Sequence, residues 1–219
     1  MGESFENLCD HFATLYTGIV ADALDRLGYM NQTLPNDITP LRYGMGFAGI
    51  AHTAWGEPDP DASYEPNIRR FLHMLGDAPE HGVLLVEAND STSAQLGELS
   101  TAALTAQRCR GAVINGGVRD TEFIVEQEFP VFSAYETPAD SPPRWRLDDW
   151  DVEIEVGDVT IEPGDVIVAD GDGVVSVPRD VASTVLEEAS EKATQENAVR
   201  EAVTRGVSPI DAFDEHGTF

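Results

Sequence analysis

The sequence alternates short apolar runs with helical patterns along most of its length. Short apolar runs bounded by turn residues are typical of strands buried on both faces, and helices between them supply the cover. The strand candidates are 43–55, 83–86, 112–114, 131–135, 152–156, 159–161, 166–169 and 174–177. The helix candidates are 17–27, 64–76, 99–106, 120–127 and 181–204. Because no long linker interrupts this alternation, we predict one mixed α/β domain over residues 1–219.

The ends of these elements are marked by particular residues. Thr17 is expected to cap the first helix and Gly28 to end it. The apolar positions of that helix are three or four residues apart: Val20, Ala23, Leu24 and Leu27. The segment 137–151 contains three prolines and several aspartates, so it is predicted to be a loop. The last helix is expected to end before Gly206, and the tail to Phe219 carries no predicted element.

The charge of the chain is strongly negative and evenly spread. Forty acidic residues face thirteen basic ones, for a formal net charge of −27, and Lys192 is the single lysine. An even excess indicates a folded protein with an acidic surface, whereas one acidic block would indicate a disordered tail. Such a surface repels phosphate backbones, so we expect no nucleic-acid partner. The composition resembles that of proteins from salt-loving organisms, with an ordinary acidic protein as the alternative interpretation.

Signals for targeting and for metal–sulfur chemistry are absent from the sequence. No run approaches the roughly 18 apolar residues of a membrane helix, and residues 1–10 lack the basic and apolar regions of a secretory signal. We therefore predict a cytoplasmic protein with no membrane partner. Cys9 and Cys109 form no CxxC pair, and Cys109 is interpreted as a small core residue. The five histidines are scattered, so no zinc site is predicted.

The most informative stretch for function runs from Gly97 to Asp120. A predicted helix begins just after Glu98, and its free backbone N–H groups, at about Leu99 and Ser100, would bind an anion. Twenty residues holding one helix and one buried strand separate Glu98 from Arg119. The chain therefore returns, and Arg119 with Asp120 should lie at the end of that strand, where α/β proteins place ligands.

These residue types suit a small acid bound together with a cation. Helix amides and a guanidinium bind a carboxylate, and Asp120 with Glu98 could hold a hard divalent cation through oxygen. A 2-oxo acid chelates such a cation, which stabilises an enolate, so retro-aldol cleavage or decarboxylation follows. A plainer interpretation is that Arg119 and Asp120 form a surface pair, with Asp120 capping the next helix. Glu98 would then only complement the helix dipole, and Gly116–Gly117 would be a plain turn.

The spacing Gly-Glu, twenty residues, Arg-Asp resembles the signature of the regulator of ribonuclease activity A and its 4-hydroxy-4-methyl-2-oxoglutarate aldolase relatives. Other segments agree with the resemblance, which covers most of 17–215. Residues 17–28 are similar to the family's N-terminal helix, and residues 111–120 to its central strand and turn. Residues 163–175 resemble its late strand pair, and residues 206–213 its C-terminal end. The resemblance implies a single-domain layered α/β/α-type sandwich of the RraA-like, swivelling-domain type.

The same resemblance implies an assembly and an activity. The family forms trimers or pairs of trimers with sites between subunits, so residues from about 181 to 219 would lie at a subunit interface. The implied activity is a class II-type aldolase or decarboxylase that uses Mg²⁺ or Mn²⁺ and releases pyruvate from small 2-oxo acids. The implied substrates are 4-hydroxy-4-methyl-2-oxoglutarate or a related acid, and oxaloacetate. The alternative is a non-catalytic regulator that docks a partner protein such as a ribonuclease.

The resemblance also assigns roles to positions of this chain. Arg119 would bind the substrate, Asp120 would bind the metal directly, and Glu98 would hold metal-bound water. The backbone amides of Leu99 and Ser100 would bind the pyruvyl carboxylate. A glutamate from the neighbouring subunit's long helix would complete the site, and Glu196 is the candidate because it follows Ala189 and Ala193 on an apolar stripe. A solvated position for Glu196 is the alternative. The family often has aspartate where Glu98 stands, which leaves the substrate open.

Overall fold

A computed structural model describes residues 5–219 as one mixed α/β unit. Its helices are α1 Phe5–Phe12, α2 Thr17–Arg26, α3 Tyr64–Asp77, α4 Glu98–Ala106, α5 Thr121–Glu126, α6 Ala182–Thr204 and α7 Pro209–His216. Its strands are β1 Thr39–Pro40, β2 Phe47–Pro58, β3 Gly82–Glu87, β4 Ala94–Leu96, β5 Gly111–Val118, β6 Val131–Glu136, β7 Trp145–Trp150, β8 Ile154–Val156, β9 Val159–Ile161, β10 Val166–Asp170 and β11 Gly173–Val177. A short 3₁₀ turn, Arg179–Val181, leads into α6. The predicted mixed α/β fold is confirmed.

One sheet organises the molecule. Its strand order is β1-β6-β5-β3-β2-β10-β11, with β4 beside β5 and β7 beside β2. The four central strands β6, β5, β3 and β2 run parallel, whereas β10 and β11 are antiparallel. The chain at 32–40 touches both ends of this order. The Leu34 N–H donates to Val174 O of β11, and the Ser176 N–H of β11 donates to Gln32 O, while β1 pairs with β6. The sheet is therefore nearly closed on itself.

The two faces of the sheet are buried in different ways. Alternate residues of β3 divide between two cores, with Leu84 and Val86 in one and Val83 and Leu85 in the other. The first core lies under α3, α4 and α5, and the corresponding face of β10 and β11 is covered by α1, α2 and α6. The second core fills the inside of the curved sheet and is closed by the β8–β9 hairpin. The layers are thus helices outside and a hairpin inside.

The first helix of the domain ends as predicted but begins differently. Gly28 has φ +89°, and the bonds from Gly28 N–H to Asp25 O and from Tyr29 N–H to Leu24 O form a Schellman motif. The prediction that Thr17 caps α2 is wrong, because Tyr16 is the capping position. Thr17 instead donates from its backbone N and its Oγ1 to the Asp170 carboxylate, at 2.8 and 2.7 Å, which ties α2 to β10.

Two other sequence predictions and one alternative interpretation are corrected. The segment 137–151 is not all loop, because β7 pairs there with the far half of β2. The tail beyond Gly206 contains α7, whose cap is Ser208 accepting from the Asp211 N–H at 3.2 Å. The pair Gly116–Gly117 is not a plain turn but lies inside β5 where β4 approaches. A Cβ on Gly117 would come within 2.4 Å of Ser93 O, so only glycine permits that approach.

Candidate functional site

The predicted site residues converge where β5 ends and α4 begins. The Arg119 N–H donates to Leu96 O at 3.0 Å, which places Arg119 and Asp120 directly beside the first turn of α4. We call Gly97, Glu98, Leu99, Arg119 and Asp120 the reactive edge. The predicted return of the chain is confirmed.

Asp120 has an unusual backbone and a side chain that does not cap. Its φ and ψ are 57° and 34°, in the left-handed region that aspartate and asparagine tolerate better than other side chains. Although Asp120 occupies the capping position of α5, its side chain makes no capping hydrogen bond. Its Oδ2 instead lies 3.4 Å from the Glu98 backbone N, across the junction. The capping interpretation of Asp120 is therefore wrong, and its carboxylate faces the start of α4.

Gly97 makes this arrangement possible. A Cβ at this position would lie 2.7 Å from Asp120 Oδ2 and 3.3 Å from Arg119 Nε. The backbone of Gly97 is extended, with φ −143°, so its requirement for glycine comes from the close approach and not from strain. The motif Gly97-Glu98 thus lets the carboxylate and the guanidinium pack against bare backbone.

Arg119 lies between two carboxylates, one of which the sequence did not reveal. Its Nε is 3.6 Å from Asp120 Oδ2, and its Nη1 is 3.0 Å from Asp140 Oδ1. Asp140 is placed by an isolated bridge to Ala94 and by Arg144, whose guanidinium donates to the Asp140 carbonyl. Asp140 belongs to a loop with no helical or strand period, so no pattern in the sequence brings it to Arg119.

The first turn of α4 offers one unpaired backbone donor. Within residues 5–219, the Leu99 N–H has no hydrogen-bond partner, as the sequence predicts. The Ser100 N–H differs from the prediction, since it donates to Gly97 O at 3.1 Å. Glu98 N–H faces Asp120, and the Glu98 carboxylate lies 3.5 Å from Gln127 Nε2. Glu98 is therefore beside the site, with its carboxylate turned towards α5.

A small cavity of about 120 Å³ lies against the reactive edge. Pockets that hold drug-sized ligands enclose roughly 300–1,000 Å³, so this one suits an acid of a few carbons. The opposite side of the cavity comes from α3 and from the chain leading into β7. We call this side the packed wall, and it consists of Asn67, Ile68, Phe71, Ser141, Pro142 and Trp145.

The amide and indole groups of the packed wall are used by the protein itself. Asn67 Nδ2 donates to Pro142 O and Trp145 O at 3.3 and 2.6 Å, and its Oδ1 accepts from Leu147 N–H at 3.2 Å. The Trp145 indole N–H donates to Ala88 O at 2.7 Å. The wall therefore presents hydrocarbon and the Ser141 hydroxyl to the cavity, although three of its six side chains are polar.

The hydrogen-bonded loop 90–95 supports β5 next to the reactive edge. Gln95 Oε1 accepts from Gly117 N–H at 2.9 Å, and Gln95 Nε2 donates to Asp90 Oδ2 at 3.1 Å. Burial alone would raise the pKa of Asp90, but hydrogen bonds from Ser93 and Thr92 outweigh it and lower that pKa. This carboxylate therefore stays ionised and holds the loop in place.

Glu196 is not brought to the cavity by its own chain. It lies on α6, where the Tyr16 hydroxyl donates to it and Lys192 Nζ lies 3.7 Å from its Oε1. Burial and the neighbouring Glu196 raise the pKa of Tyr16 to about 12. The predicted role of Glu196 in a neighbouring subunit's site stays a prediction.

The donor set of the reactive edge fits a magnesium ion. Two carboxylates, Asp120 and Glu98, flank the start of α4, and Mg²⁺ commonly binds through one or two carboxylates while keeping several waters. Within residues 5–219, no three His, Cys, Asp or Glu side chains are arranged to hold a metal ion by themselves, so waters or a bound ligand would supply the remaining positions. Oxygen donors without sulfur or imidazole favour a hard cation.

The two cysteines are packed against the protein interior. Cys9 and Cys109 are both free thiols, Cys109 packs against the core under α3 and α4, and burial raises the pKa of each to about 11. Both are therefore protonated at neutral pH and unreactive. Among the helices of residues 5–219, none combines the length and apolar character that crossing a bilayer requires.

Comparison with known proteins identifies the family. A family model described as Aldolase/RraA matches residues 17–176. The chain belongs to the RraA-like family. A putative 4-hydroxy-4-methyl-2-oxoglutarate aldolase from Halalkalibacterium halodurans is 27% identical over 215 residues, which are 98% of this chain and 97% of that protein. Protein DlpA from Legionella pneumophila is 27% identical over 131 residues, and the match spans 59% of this chain but only 21% of DlpA.

Solved structures share the RraA-like fold. A protein described among novel cellulases from microbes associated with the gut ecosystem is 31% identical, with a TM-score of 0.85, covering 90% of this chain and 88% of that one. RraAS2 from Streptomyces coelicolor, described as an unusual member of the RNase ES inhibitor RraA family, is 24% identical, with a TM-score of 0.80. That match covers 89% of this chain and 97% of RraAS2. The predicted family and fold class are thereby confirmed.

Proposed function

We propose that this RraA-like chain is a divalent-metal-dependent lyase that cleaves a carbon–carbon bond of small 2-oxo acids and releases pyruvate. The observation that carries the proposal is the Asp120 carboxylate, which leaves its capping role and faces the start of α4 beside Arg119. The 27% identical relative named as a putative 4-hydroxy-4-methyl-2-oxoglutarate aldolase, which matches nearly end to end, supports it.

In the proposed reaction the reactive edge binds and orients the pyruvyl part of the substrate. The Arg119 guanidinium and the Leu99 N–H are the donors for its carboxylate, because both lie at the cavity and the N–H is unpaired within residues 5–219. Asp120 would hold Mg²⁺ or Mn²⁺ directly, and Glu98 would hold one of its waters. When bound, such an ion acts as a Lewis acid towards the keto oxygen.

The overall reaction is balanced without an oxidant or a reductant. In a 4-hydroxy-2-oxo acid, the bond between C3 and C4 breaks, and its electron pair remains on C3. The 4-hydroxyl proton leaves, C4 becomes a carbonyl carbon, and C3 gains a proton to give pyruvate. With oxaloacetate, the same electron pair is released by loss of carbon dioxide. Both reactions need the C2 keto group to accept charge, which is why the metal and Arg119 belong beside it.

We also propose that the working unit is a trimer or a pair of trimers. Leu99 and Phe123 are 77% and 60% exposed beside the reactive edge, and a neighbouring subunit would cover these apolar side chains. Ile210 and Phe213 on α7 are exposed as well, at the C-terminal end predicted to lie at an interface. Glu196 of the neighbouring subunit would then approach the metal. Light scattering tests this, and a stable monomer in molar salt would exclude it.

A pyruvate-release assay tests the activity itself. We expect release from 4-hydroxy-4-methyl-2-oxoglutarate or a related 4-hydroxy-2-oxo acid, and from oxaloacetate above the background caused by free Mg²⁺. Chelation should abolish the enzymatic part, and added Mg²⁺ or Mn²⁺ should restore it. Failure to release pyruvate from a broad panel, in both low and molar salt, would leave the regulatory role as the better explanation. In that role the acidic surface would dock a basic partner protein.

A further inference from the structure

We infer that the Ser141 hydroxyl is a substrate-binding group, which hydrogen-bonds the oxygen on C4 of a 4-hydroxy-2-oxo acid and favours aldol cleavage over decarboxylation. The inference rests on the proposed function, in that the pyruvyl part of the substrate binds at the reactive edge. It adds a contact on the opposite side of the cavity, where the packed wall would face the substrate beyond C3. No group of a neighbouring subunit enters the argument, because one chain forms the whole packed wall.

Ser141 is buried, yet its hydroxyl has no partner in the protein. The residue is 6% exposed and lines the cavity. Within residues 5–219 its Oγ makes no hydrogen bond, and it is not one of the atoms that the fold seals from solvent without a partner: Gln32 Oε1, Asp148 Oδ2 and Ser176 Oγ. The hydroxyl is therefore open to the cavity. Because most buried polar side-chain atoms are hydrogen-bonded, one that is left open in a cavity is available to a ligand.

The backbone around Ser141 fixes the position of this hydroxyl. Ser141 O accepts from the N–H groups of Arg144 and Trp145, both at 2.9 Å. The next carbonyl, Pro142 O, accepts from Asn67 Nδ2 at 3.3 Å, which ties this turn to α3. A hydroxyl held in this way needs little further ordering when a ligand binds, so more of the hydrogen-bond energy contributes to affinity.

A serine hydroxyl suits both states of the oxygen on C4. In the substrate this oxygen carries a proton, whereas in the product it is a carbonyl oxygen that can only accept. Serine accepts from the first and donates to the second by turning its O–H bond, which an ionised carboxylate cannot do. The Ser100 hydroxyl also lines the cavity, but it lies in the first turn of α4, on the side of the pyruvyl carboxylate. Ser141 is therefore the hydroxyl that faces C4.

Oxaloacetate gains no rate from the same contact. Its C4 belongs to the carboxylate that leaves as carbon dioxide, so this group loses its negative charge as the bond breaks. A hydrogen bond to that carboxylate stabilises the bound substrate more than the transition state, and it therefore does not accelerate the reaction. The Ser141 contact should thus matter for cleavage of a 4-hydroxy acid and not for decarboxylation.

Ser141→Ala in the Mg²⁺-loaded protein tests the inference on both reactions. We expect kcat/KM for pyruvate release from 4-hydroxy-4-methyl-2-oxoglutarate to fall about tenfold, which corresponds to the loss of one hydrogen bond. With oxaloacetate, kcat/KM should change by less than about twofold. Tm should stay the same or rise, because the free protein loses no hydrogen bond and no longer buries an unpaired hydroxyl. An equal change with the two substrates, including no change with either, or a Tm lowered by several degrees, would overturn the inference.

Two further variants provide a repeat and a control. Ser141→Cys keeps the shape of the side chain but replaces the hydroxyl by a weak donor, so it should repeat the Ser141→Ala result, and it replaces that variant if alanine does not fold. Ser63→Ala removes an exposed hydroxyl that makes no capping bond and does not line the cavity, so both rates should stay within about twofold of wild type.

An inhibitor identifies the oxygen that Ser141 contacts. 4-Methyl-2-oxoglutarate lacks only the 4-hydroxyl, so its inhibition constant should be no higher for Ser141→Ala than for wild type. A constant raised about tenfold would mean that Ser141 binds another part of the substrate, which overturns the inference. Wild-type protein that releases no pyruvate from either acid refutes the proposed function and this inference with it, whereas wild-type release together with an equal loss in Ser141→Ala refutes the inference alone.

Discussion

The two sides of the cavity obtain their chemistry in opposite ways. The reactive edge leaves the Leu99 N–H unpaired within residues 5–219, and it holds the Asp120 carboxylate off α5 with only a long, 3.4 Å bond from the Glu98 N–H and Arg119 Nε at 3.6 Å. The packed wall saturates its central polar group, since all three hydrogen-bonding positions of the Asn67 amide are occupied by backbone. Unpaired groups are available to a ligand, whereas saturated groups fix shape.

This difference teaches that residue type alone does not identify a binding residue. Asn67 and Asp120 are both polar residues that line the same cavity. Asn67 bonds α3 to β7, whereas Asp120 contacts only the start of α4 and its neighbour Arg119. The distinction lies in the backbone around each of them. Asp120 has a left-handed conformation and a glycine neighbour in space, whereas Asn67 is an interior residue of a regular helix. Substitutions in the reactive edge should therefore lower activity, whereas substitutions in the packed wall should lower stability.

Asp120→Asn should have the largest effect. Asparagine tolerates the left-handed backbone as well as aspartate does, so the free energy of unfolding should change by less than about 0.5 kcal/mol. Losing the direct metal ligand removes a contribution of several kcal/mol, which at about 1.4 kcal/mol per tenfold corresponds to a loss on the order of a thousandfold in pyruvate release. Steady-state kinetics and thermal unfolding of the same preparation check both parts.

The matched control for Asp120→Asn is Glu122→Gln, which removes one neighbouring negative charge in the first turn of α5. Glu122 is exposed and does not line the cavity, so activity should stay near wild type. Most of the activity surviving in Asp120→Asn would break the comparison, because the Asp120 carboxylate would then have no special role.

Asn67→Ala should act on stability. The substitution removes three hydrogen bonds and leaves a buried Leu147 N–H and two carbonyls without a partner, at a cost of about 2–4 kcal/mol. Chemical denaturation measures this loss, and the metal affinity at the reactive edge should change little. Asn197→Ala, an exposed substitution on α6, is the control and should change stability by less than about 0.5 kcal/mol. A loss of metal affinity larger than the loss of stability would mean that Asn67 contributes to the reactive edge as well as to the packed wall.

Gly97→Ala should produce a smaller, purely catalytic effect. The new Cβ would stand 2.7 Å from Asp120 Oδ2, so the carboxylate must shift by a few tenths of an ångström. Misplacing a reacting group by about 1 Å can cost a hundredfold, so a loss of roughly tenfold in kcat/KM is expected. Gly76→Ala in α3 is the control, because a Cβ there meets nothing within 4 Å and alanine favours the helix. Wild-type kinetics in Gly97→Ala would show that the carboxylate position is not critical.

The sequence predicts the reactive edge far better than the packed wall. Gly97, Glu98, Arg119 and Asp120 lie at the ends of regular elements, and the helix and strand between them have clear periods, so the return of the chain follows from the pattern. The left-handed conformation of Asp120 is not encoded in any period. It depends on tertiary packing against Gly97, and the pattern alone therefore left the capping interpretation open.

Sequence periodicity does not predict the packed wall, because the wall joins segments that are far apart in the sequence. Trp145 lies in a stretch with prolines and aspartates that disfavour strands, yet β7 forms because β2 offers it a free edge and α3 bonds to its backbone. Asp140 is likewise brought to Arg119 only by tertiary structure. The curvature of the sheet is also missing from the pattern, since it depends on residues 32–40 joining β11 to β6.

Salt should have the smallest effect on the comparison, because it acts on the whole chain. Forty acidic residues against thirteen basic ones produce a repulsion that screening relieves, so Tm should rise by at least a few degrees between dilute buffer and molar potassium chloride. Salt also weakens surface ion pairs such as Arg69–Glu65, but exposed pairs contribute only about 0–1 kcal/mol each, so relief of repulsion decides the sign. A Tm that stays flat or falls over this range, with sorbitol at equal osmolality as the non-ionic control, would refute the salt-adapted interpretation of the composition.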